Sequence, residues 1–254
     1  MFEKKSIIKI AIIIVLIVSA GIINTWCEPL PIPKIGLDIE AAENPQDVAL
    51  SMQILFMLTI LSLAPSLLIM LTSFTRIIIV LSFTRNALGT QQMPPNQVLI
   101  GLALFLTFFI MSPVITEINE TAFTPFTNGE ISQEEAIEKA AEPIRTFMFK
   151  YTREKDLALF LKLGQVSQPL AKSDIPTSTL IPAFIISELK TAFEIGFFLY
   201  IPFLMIDMIV SSTLMSMGMM MLPPIMISMP FKILLFVMVD GWNLIVRSLI
   251  MGFK

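Results

Sequence analysis

The sequence predicts an all-α integral membrane protein. Apolar residues make up 55% of the 254 residues and charged residues only 15%, and the mean hydropathy is +0.81. A soluble domain has roughly 45–50% apolar and about 25% charged residues, so this balance indicates burial in a membrane. The apolar residues form long stretches, and the alternation typical of strands never dominates. These observations together favour helices throughout.

The N-terminal residues predict an export signal followed by a linker. Three lysines within the first nine residues precede an apolar run, and the small residues Ser19 and Ala20 follow it, as at a signal-peptidase site. We expect a signal peptide over residues 1–20, with an uncleaved anchor as the alternative. Residues 21–47 contain four prolines and several acids, which predicts an extended linker.

Beyond the linker, four apolar stretches are each near or above the roughly 20 residues that a helix needs to cross a bilayer. Residues 48–118 are predicted to form a first apolar hairpin region, and residues 180–254 a C-terminal apolar hairpin. The connector Ser73–Gln97 carries two arginines and is predicted to be cytoplasmic by the positive-inside rule. The four stretches are Ala49–Leu71, Val98–Ile115, Leu180–Val210 and Ile225–Ile250.

Residues 119–179 are the one segment with a soluble composition, and we expect an external helical segment there. Ser132 followed by Glu135 forms a capping box that opens a helix. A second helix is predicted over Thr152–Leu163. The resulting hairpin packs either on itself or on a neighbour. The apolar stripe of its first helix comprises Ile137, Ala141, Ile144, Met148 and Tyr151.

The composition excludes most chemistry. The chain has no histidine and one cysteine, which removes imidazole bases, histidine metal ligands, thiolate clusters and internal disulfides. An intramembrane aspartyl protease would need Asp207 and Asp240 to face each other, and neither has the flanking residues that such enzymes use. We therefore predict no enzymatic activity and no cofactor or metal. The net charge of −3 gives no basis for nucleic-acid binding.

Charged residues within the apolar stretches cost about 2.5–3.5 kcal/mol each on insertion scales and are therefore candidate functional residues. Lys190 and Glu194 lie four residues apart and can pair on one helix face. Glu188 lies on a different face, and Lys232 on the next helix is its expected partner. These residues and Asp207 either line an ion or proton path or fix how helices and subunits dock, and we favour docking.

Nine of the 18 methionines lie between Met205 and Met229. A glycine precedes the triplet at residues 219–221 and two prolines follow it, so a continuous helix is not expected there. We predict a short non-helical tip over residues 217–224 between two apolar helices. Methionine is flexible and polarisable, so this tip is either a soft apolar constriction or ordinary packing.

Several long motifs stand out in the sequence. The first motif is SFTRIIIVLSFTRNALGTQQMPPNQVLIG at residues 73–101. The others are SELKTAF at 187–193, MSMGMMMLPP at 215–224, and PFK at 230–232 with VDGWNL at 239–244. These motifs resemble those of the FliP family of flagellar biosynthetic proteins, and the resemblance covers about residues 48–248.

This resemblance implies a pore-forming core subunit of the flagellar type III export gate, which conducts unfolded flagellar substrates across the inner membrane. It implies several copies, five if family-like, assembled into a ring with FliQ and FliR. FliO would act as assembly factor, and FlhA and FlhB would belong to the same apparatus. Much of the chain would lie on the periplasmic side of the flagellar basal body. The equivalent injectisome subunit is one alternative, and a small-solute or ion transporter is another.

The resemblance also implies roles for individual residues. The gasket around the pore would consist of Met219, Met220 and Met221. The gate loop around it would include Met217, Gly218, Pro223 and Pro224. The charge pairs between helices or subunits would involve Glu188, Lys190, Glu194, Asp207 and Lys232. The external helices would contribute Phe147 and Phe160 to a subunit interface.

Overall fold

The computed structural model describes residues 45–90, 92–165, 171–219 and 221–253, with the backbone alone for residues 45–50. The described residues from Ile54 onward form one compact unit. The predicted signal peptide and all of the predicted linker before Pro45 lie outside the described residues. Regular structure in the described ranges is helical and contains no strand, so the predicted all-α class is confirmed.

The long helices coincide with the apolar stretches of the sequence. Three of them are long and apolar enough to cross a membrane, and the last two helices make a fourth span if they cross as one bent pair. The helices are α1 (Pro45–Leu71), α2 (Phe74–Ala87), α3 (Asn96–Ile118), α4 (Thr124–Thr127), α5 (Gln133–Tyr151), α6 (Glu154–Leu163), α7 (Thr177–Ser216), α8 (Pro224–Met238) and α9 (Gly241–Met251). A π-helical turn (Asn119–Phe123) follows α3, and a 3-10 turn (Lys172–Asp174) precedes α7.

Helix α2 is the central element of the unit formed by residues 54–254. It packs against both α3 and α7, and Ile77, Val80 and Leu81 are fully buried. This segment was predicted to be a connector, and the structure corrects that assignment. The segment forms a helix of 14 residues because its apolar side chains are buried, and Arg76, one of the two arginines that indicated a cytoplasmic connector, is buried with them.

The two predicted external helices are present as α5 and α6. The Ser132 hydroxyl accepts a hydrogen bond from the Glu135 N–H at 3.2 Å, so the predicted start of α5 is confirmed. Both helices pack on α7, a neighbouring element of the same chain. In the predicted apolar stripe, Met148 is buried but Ile137 is exposed. Only the C-terminal half of the stripe therefore faces the core.

Helices α7 and α8 form the hairpin that carries the methionine-rich segment. Helix α7 runs over 40 residues, about 60 Å at a rise of 1.5 Å per residue. Helix α7 ends at Ser216 and α8 begins at Pro224, and the described residues between them are not helical, as the sequence predicts. The predicted final stretch, Ile225–Ile250, is two helices that meet at 62°. Asp240 lies at the bend with a φ of +50°.

We expect Gly196 to be needed for the packing of α7 on α2. A Cβ at Gly196 would lie 2.6 Å from Phe83 Cγ, whereas a Cβ at Gly101 on α3 would meet no atom within 4 Å. Gly196→Ala should therefore destabilise the purified protein by about 1–3 kcal/mol, as overpacking does. Gly101→Ala is the matched control, and its better helix propensity should leave stability unchanged or raise it by up to about 1 kcal/mol. Thermal unfolding in one detergent measures both, and equal shifts would contradict this packing role.

Candidate functional site

The tip between α7 and α8 is a tight turn with exposed methionines. The N–H groups of Gly218 and Met219 donate to the carbonyls of Met215 and Leu214, both at 3.0 Å. Gly218 has a φ of +74°, a conformation that a side chain would strain, so a glycine suits this position. Pro224 begins α8, where its missing N–H costs nothing. The local sequence thus both ends α7 and starts α8.

The exposure of the tip residues suits a contact surface rather than a core. Met217 is 72% exposed, Met219 42% and Met221 97%. Met220 lies outside the described residues. The three described methionines therefore present flexible apolar side chains to whatever adjoins the tip. Their role as a gasket stays a prediction.

A polar cluster joins the two arms of the hairpin below this tip. The Asp207 carboxylate on α7 accepts hydrogen bonds from Ser228 Oγ at 2.5 Å and from Lys232 Nζ at 2.6 Å. Lys232 is 2% exposed, so its charge is neutralised inside the chain. Asp207 precedes the end of α7 by nine residues, and Lys232 follows the start of α8 by eight. At 1.5 Å per residue, the cluster lies about 12–14 Å from the tip and fixes the spacing of the arms.

Glu188 has a different partner from the one predicted. Its carboxylate forms a two-pronged ion pair with Arg76 on α2, from Arg76 Nε at 2.9 Å and from Arg76 Nη2. The predicted pairing of Glu188 with Lys232 is therefore wrong within the chain. The partner was missed because Arg76 lay in the segment assigned to a connector. A basic residue among the helically spaced apolar residues of α2 was the available signal.

The other predicted site residues differ in their surroundings. Lys190 Nζ lies 3.5 Å from Glu194 Oε1 on the surface of α7, as the spacing of four residues predicts. Phe147 is buried inside the chain. Its ring packs against Tyr151, Phe184 and Phe253 and therefore cannot contact a second subunit in this conformation. Phe160 is half-buried and retains some exposed surface. Its place in a subunit interface remains a prediction.

A second polar contact, not predicted from the sequence, holds the external helix α6 on α7. Asp156 Oδ2 accepts hydrogen bonds from Ser187 Oγ at 2.7 Å and from Arg153 Nε at 2.8 Å. Ser187 Oγ in turn accepts the Arg153 backbone N–H at 3.0 Å. Burial raises the pKa of the Asp156 carboxyl, but the hydrogen bonds from Ser187 and Arg153 and the charge of Arg153 outweigh burial and hold the pKa below its ordinary value of 3.8.

We expect loss of the buried ion pair to destabilise the protein far more than loss of an exposed one. Glu188→Gln leaves the Arg76 charge buried and unpaired, which typically costs about 3–5 kcal/mol. Glu194→Gln is the matched control on the same helix, and loss of its exposed pair should cost less than about 1 kcal/mol. Thermal unfolding of the detergent-solubilised variants measures both. Similar losses from the two changes would show that Arg76 and Glu188 do not anchor the fold.

We also expect the contribution of Asp156 to stability to depend on pH. Because its pKa is lower in the folded protein, this contribution is present above the ordinary value of 3.8 and is lost as the pH falls through the folded pKa. Near pH 7, Asp156→Asn should lower stability by about 1–3 kcal/mol, as expected for hydrogen bonds to a charged group. Unfolding of both proteins between pH 7 and pH 3 tests this. A difference that stays constant over that range would contradict it.

Comparison with known proteins places the chain in a family. A model of the FliP family matches residues 57–249. The chain is 60% identical over 217 residues to the flagellar biosynthetic protein FliP of Bacillus subtilis (strain 168), covering 85% of this chain and 98% of that protein. It is 49% identical over 242 residues to FliP of Aquifex aeolicus (strain VF5), covering 94% and 98%. The chain therefore belongs to the FliP family of flagellar biosynthetic proteins.

Proposed function

We propose that the chain is a pore-forming subunit of the flagellar type III export gate and conducts unfolded flagellar substrates across the inner membrane. The observation that carries the proposal is the exposed methionine tip on a hairpin of two apolar helices. In a ring of copies such tips would meet and form a hydrophobic constriction, which excludes water and ions. The flagellar names of the relatives favour this gate over its injectisome equivalent.

The exposed apolar surface of the single chain supports assembly with other subunits. Phe105 on α3, Phe198 on α7 and Met238 on α8 are each at least 70% exposed. Many other large apolar residues of these helices are also exposed, although to a smaller extent. Apolar patches of this extent are covered in a working protein, either by lipid or by partners. We propose that further copies of this chain, FliQ and FliR cover much of this surface, with FliO assisting assembly. FlhA and FlhB would belong to the same apparatus.

The hairpin geometry supports a seal that can yield and close again. The Asp207–Ser228–Lys232 cluster holds the arms of the hairpin about 12–14 Å from the tip. Beyond it, the described tip residues form local backbone hydrogen bonds, and the unbranched methionine side chains re-pack at low cost. Rigid arms with a soft tip would let varied polypeptides pass while the ring stays assembled. No bond is made or broken in this role, so it requires no catalytic residue.

The proposed placement in the cell follows from the same assignment. The chain would lie in the inner membrane at the flagellar basal body, with its N-terminal signal removed or retained as an anchor. The external segment, residues 119–179, would face the periplasm. It would lie on the outer side of the gate, with α5 and α6 docked on α7.

We expect the methionine triplet to control ion leakage rather than assembly. In the native host, replacing Met219, Met220 and Met221 together by alanine should raise membrane ion leak severalfold, because three flexible side chains are shortened at the constriction. Copurification of the partner subunits should be unchanged, since the hairpin arms remain intact. Leak, copurification and secretion of flagellar substrates are measured in the same strains.

A matched control replaces three exposed methionines away from the tip, Met57, Met208 and Met251, by alanine. That variant should leave ion leak at the wild-type level. If the tip variant assembles, secretes and leaks like the wild type, the methionines do not seal a pore. If monomeric protein transports a small solute by itself, the transporter alternative replaces the gate.

A further inference from the structure

A polar cleft on the external segment has no part in the proposed pore. It has a volume of about 400 Å³ and lies between the C-terminal half of α5 and the 3-10 turn before α7. One wall comes from the middle of this segment in sequence and the other from near its C-terminal end, and the docking of α5 on α7 brings them together. The lining residues are Glu142, Arg145, Thr146, Phe149, Lys150, Lys172 and Ser173.

Arg145 is held in place by neutral groups. Its guanidinium donates to the Thr177 hydroxyl, to the Ile175 carbonyl at 2.8 Å and to the Lys172 carbonyl at 3.4 Å. These bonds use three of its five donors, so Nε and one Nη1 hydrogen remain for a ligand. Among the described residues it forms no ion pair. The side chain is thus pre-oriented while its charge stays uncompensated.

Phe149 provides an apolar wall between two positive charges. The Arg145 guanidinium lies 5.6 Å from the centre of the Phe149 ring, and Lys172 Nζ lies 5.9 Å from it. Lys172 is exposed and, within the described ranges, has no carboxylate partner. Among the described lining residues Glu142 is the one acid, whereas Arg145 and Lys172 are basic and have no carboxylate partner within the described ranges. The cleft is therefore basic in a chain whose net charge is −3.

We propose that this cleft binds an acidic polypeptide segment, with a carboxylate on Arg145 and Lys172 and an adjoining apolar side chain on Phe149. Arginine donors match a carboxylate in geometry, and such contacts are strong when the arginine is already oriented. A lone phosphate ion would leave Phe149 and most of the 400 Å³ unfilled. A lipid headgroup fits less well, because the helices that could span a membrane do not include α5 or the 3-10 turn.

The test measures binding of a fluorescein-labelled peptide of about 12 residues with alternating glutamate and leucine to the full-length protein in detergent. We expect saturable binding that weakens as the salt concentration rises. Lys172→Glu reverses one charge of the cleft without removing a hydrogen bond of the Lys172 side chain, and it should raise the Kd about tenfold or more. Lys162→Glu is the matched control, because Lys162 is also exposed but lies on α6 outside the cleft. It should change the Kd by less than about twofold.

Each other outcome would overturn the proposal. Equal weakening by Lys172→Glu and Lys162→Glu would mean unspecific attraction to a charged surface. Displacement of the peptide by inorganic phosphate at similar concentrations would mean a site for any oxyanion. Binding of phosphatidylglycerol vesicles that depends on Lys172, without peptide binding, would mean a lipid site. A peptide with lysine in place of glutamate should not bind, and its binding would also contradict the assignment.

Discussion

The buried ion pair between Arg76 and Glu188 is the contact on which the rest of the fold depends. The side chains are 6% and 0% exposed, so neither charge can be left without the other. The pair joins α2 to α7, and Arg76 also donates to the Gly252 carbonyl at 3.2 Å and lies 3.9 Å from the centre of the Phe253 ring. Tyr151 of α5 donates to the Phe253 carbonyl at 2.5 Å. The Arg76 guanidinium thereby links α2 to α7 and to the C-terminal residues, which in turn contact α5.

Besides its apolar core, this arrangement buries several charged side chains and leaves many large apolar side chains exposed, unlike a soluble domain. Arg76, Glu188 and Lys232 are buried, while large phenylalanines and methionines on α3, α7 and α8 are exposed. An apolar surrounding makes this distribution favourable, because buried charges find partners and exposed apolar groups avoid water. The same principle explains the polar contacts between helices. The Arg76–Glu188 pair, the Asp207–Ser228–Lys232 cluster and the Asp156–Ser187 contact each specify which helix faces which.

The three polar contacts divide the long helix α7 into regions with separate tasks. Near its start, Ser187 and Glu188 hold α6 and α2. Asp207, about two and a half turns before its end, holds α8 instead. Beyond Asp207, α7 leads into the methionine tip and makes no further polar side-chain contact with another helix among the described residues. A single helix thus connects a packed base to a soft end, which suits a gate that must deform at one place.

Much of this could be predicted from local sequence. Helix starts and ends follow from neighbouring residues, so the Ser132 cap, the break at Gly218 and the start at Pro224 were all recognisable. The contact between Lys190 and Glu194 was predictable too, because a spacing of four residues fixes it within one helix. The membrane class follows from composition alone. The family assignment rests on motifs that are long and unbroken in the chain.

What the sequence by itself determined was therefore the class, most of the helices, the tip and the family, because each depends on residues close together along the chain. Only the tertiary structure decided the partners of the buried charges and the depth of α2. Glu188 and Arg76 are 112 residues apart, and no local spacing relates them. Several basic residues were available to Glu188, and the docking of α2 against α7 selected one. Likewise, Phe147 is buried rather than exposed because residues near the C-terminus fold back over it.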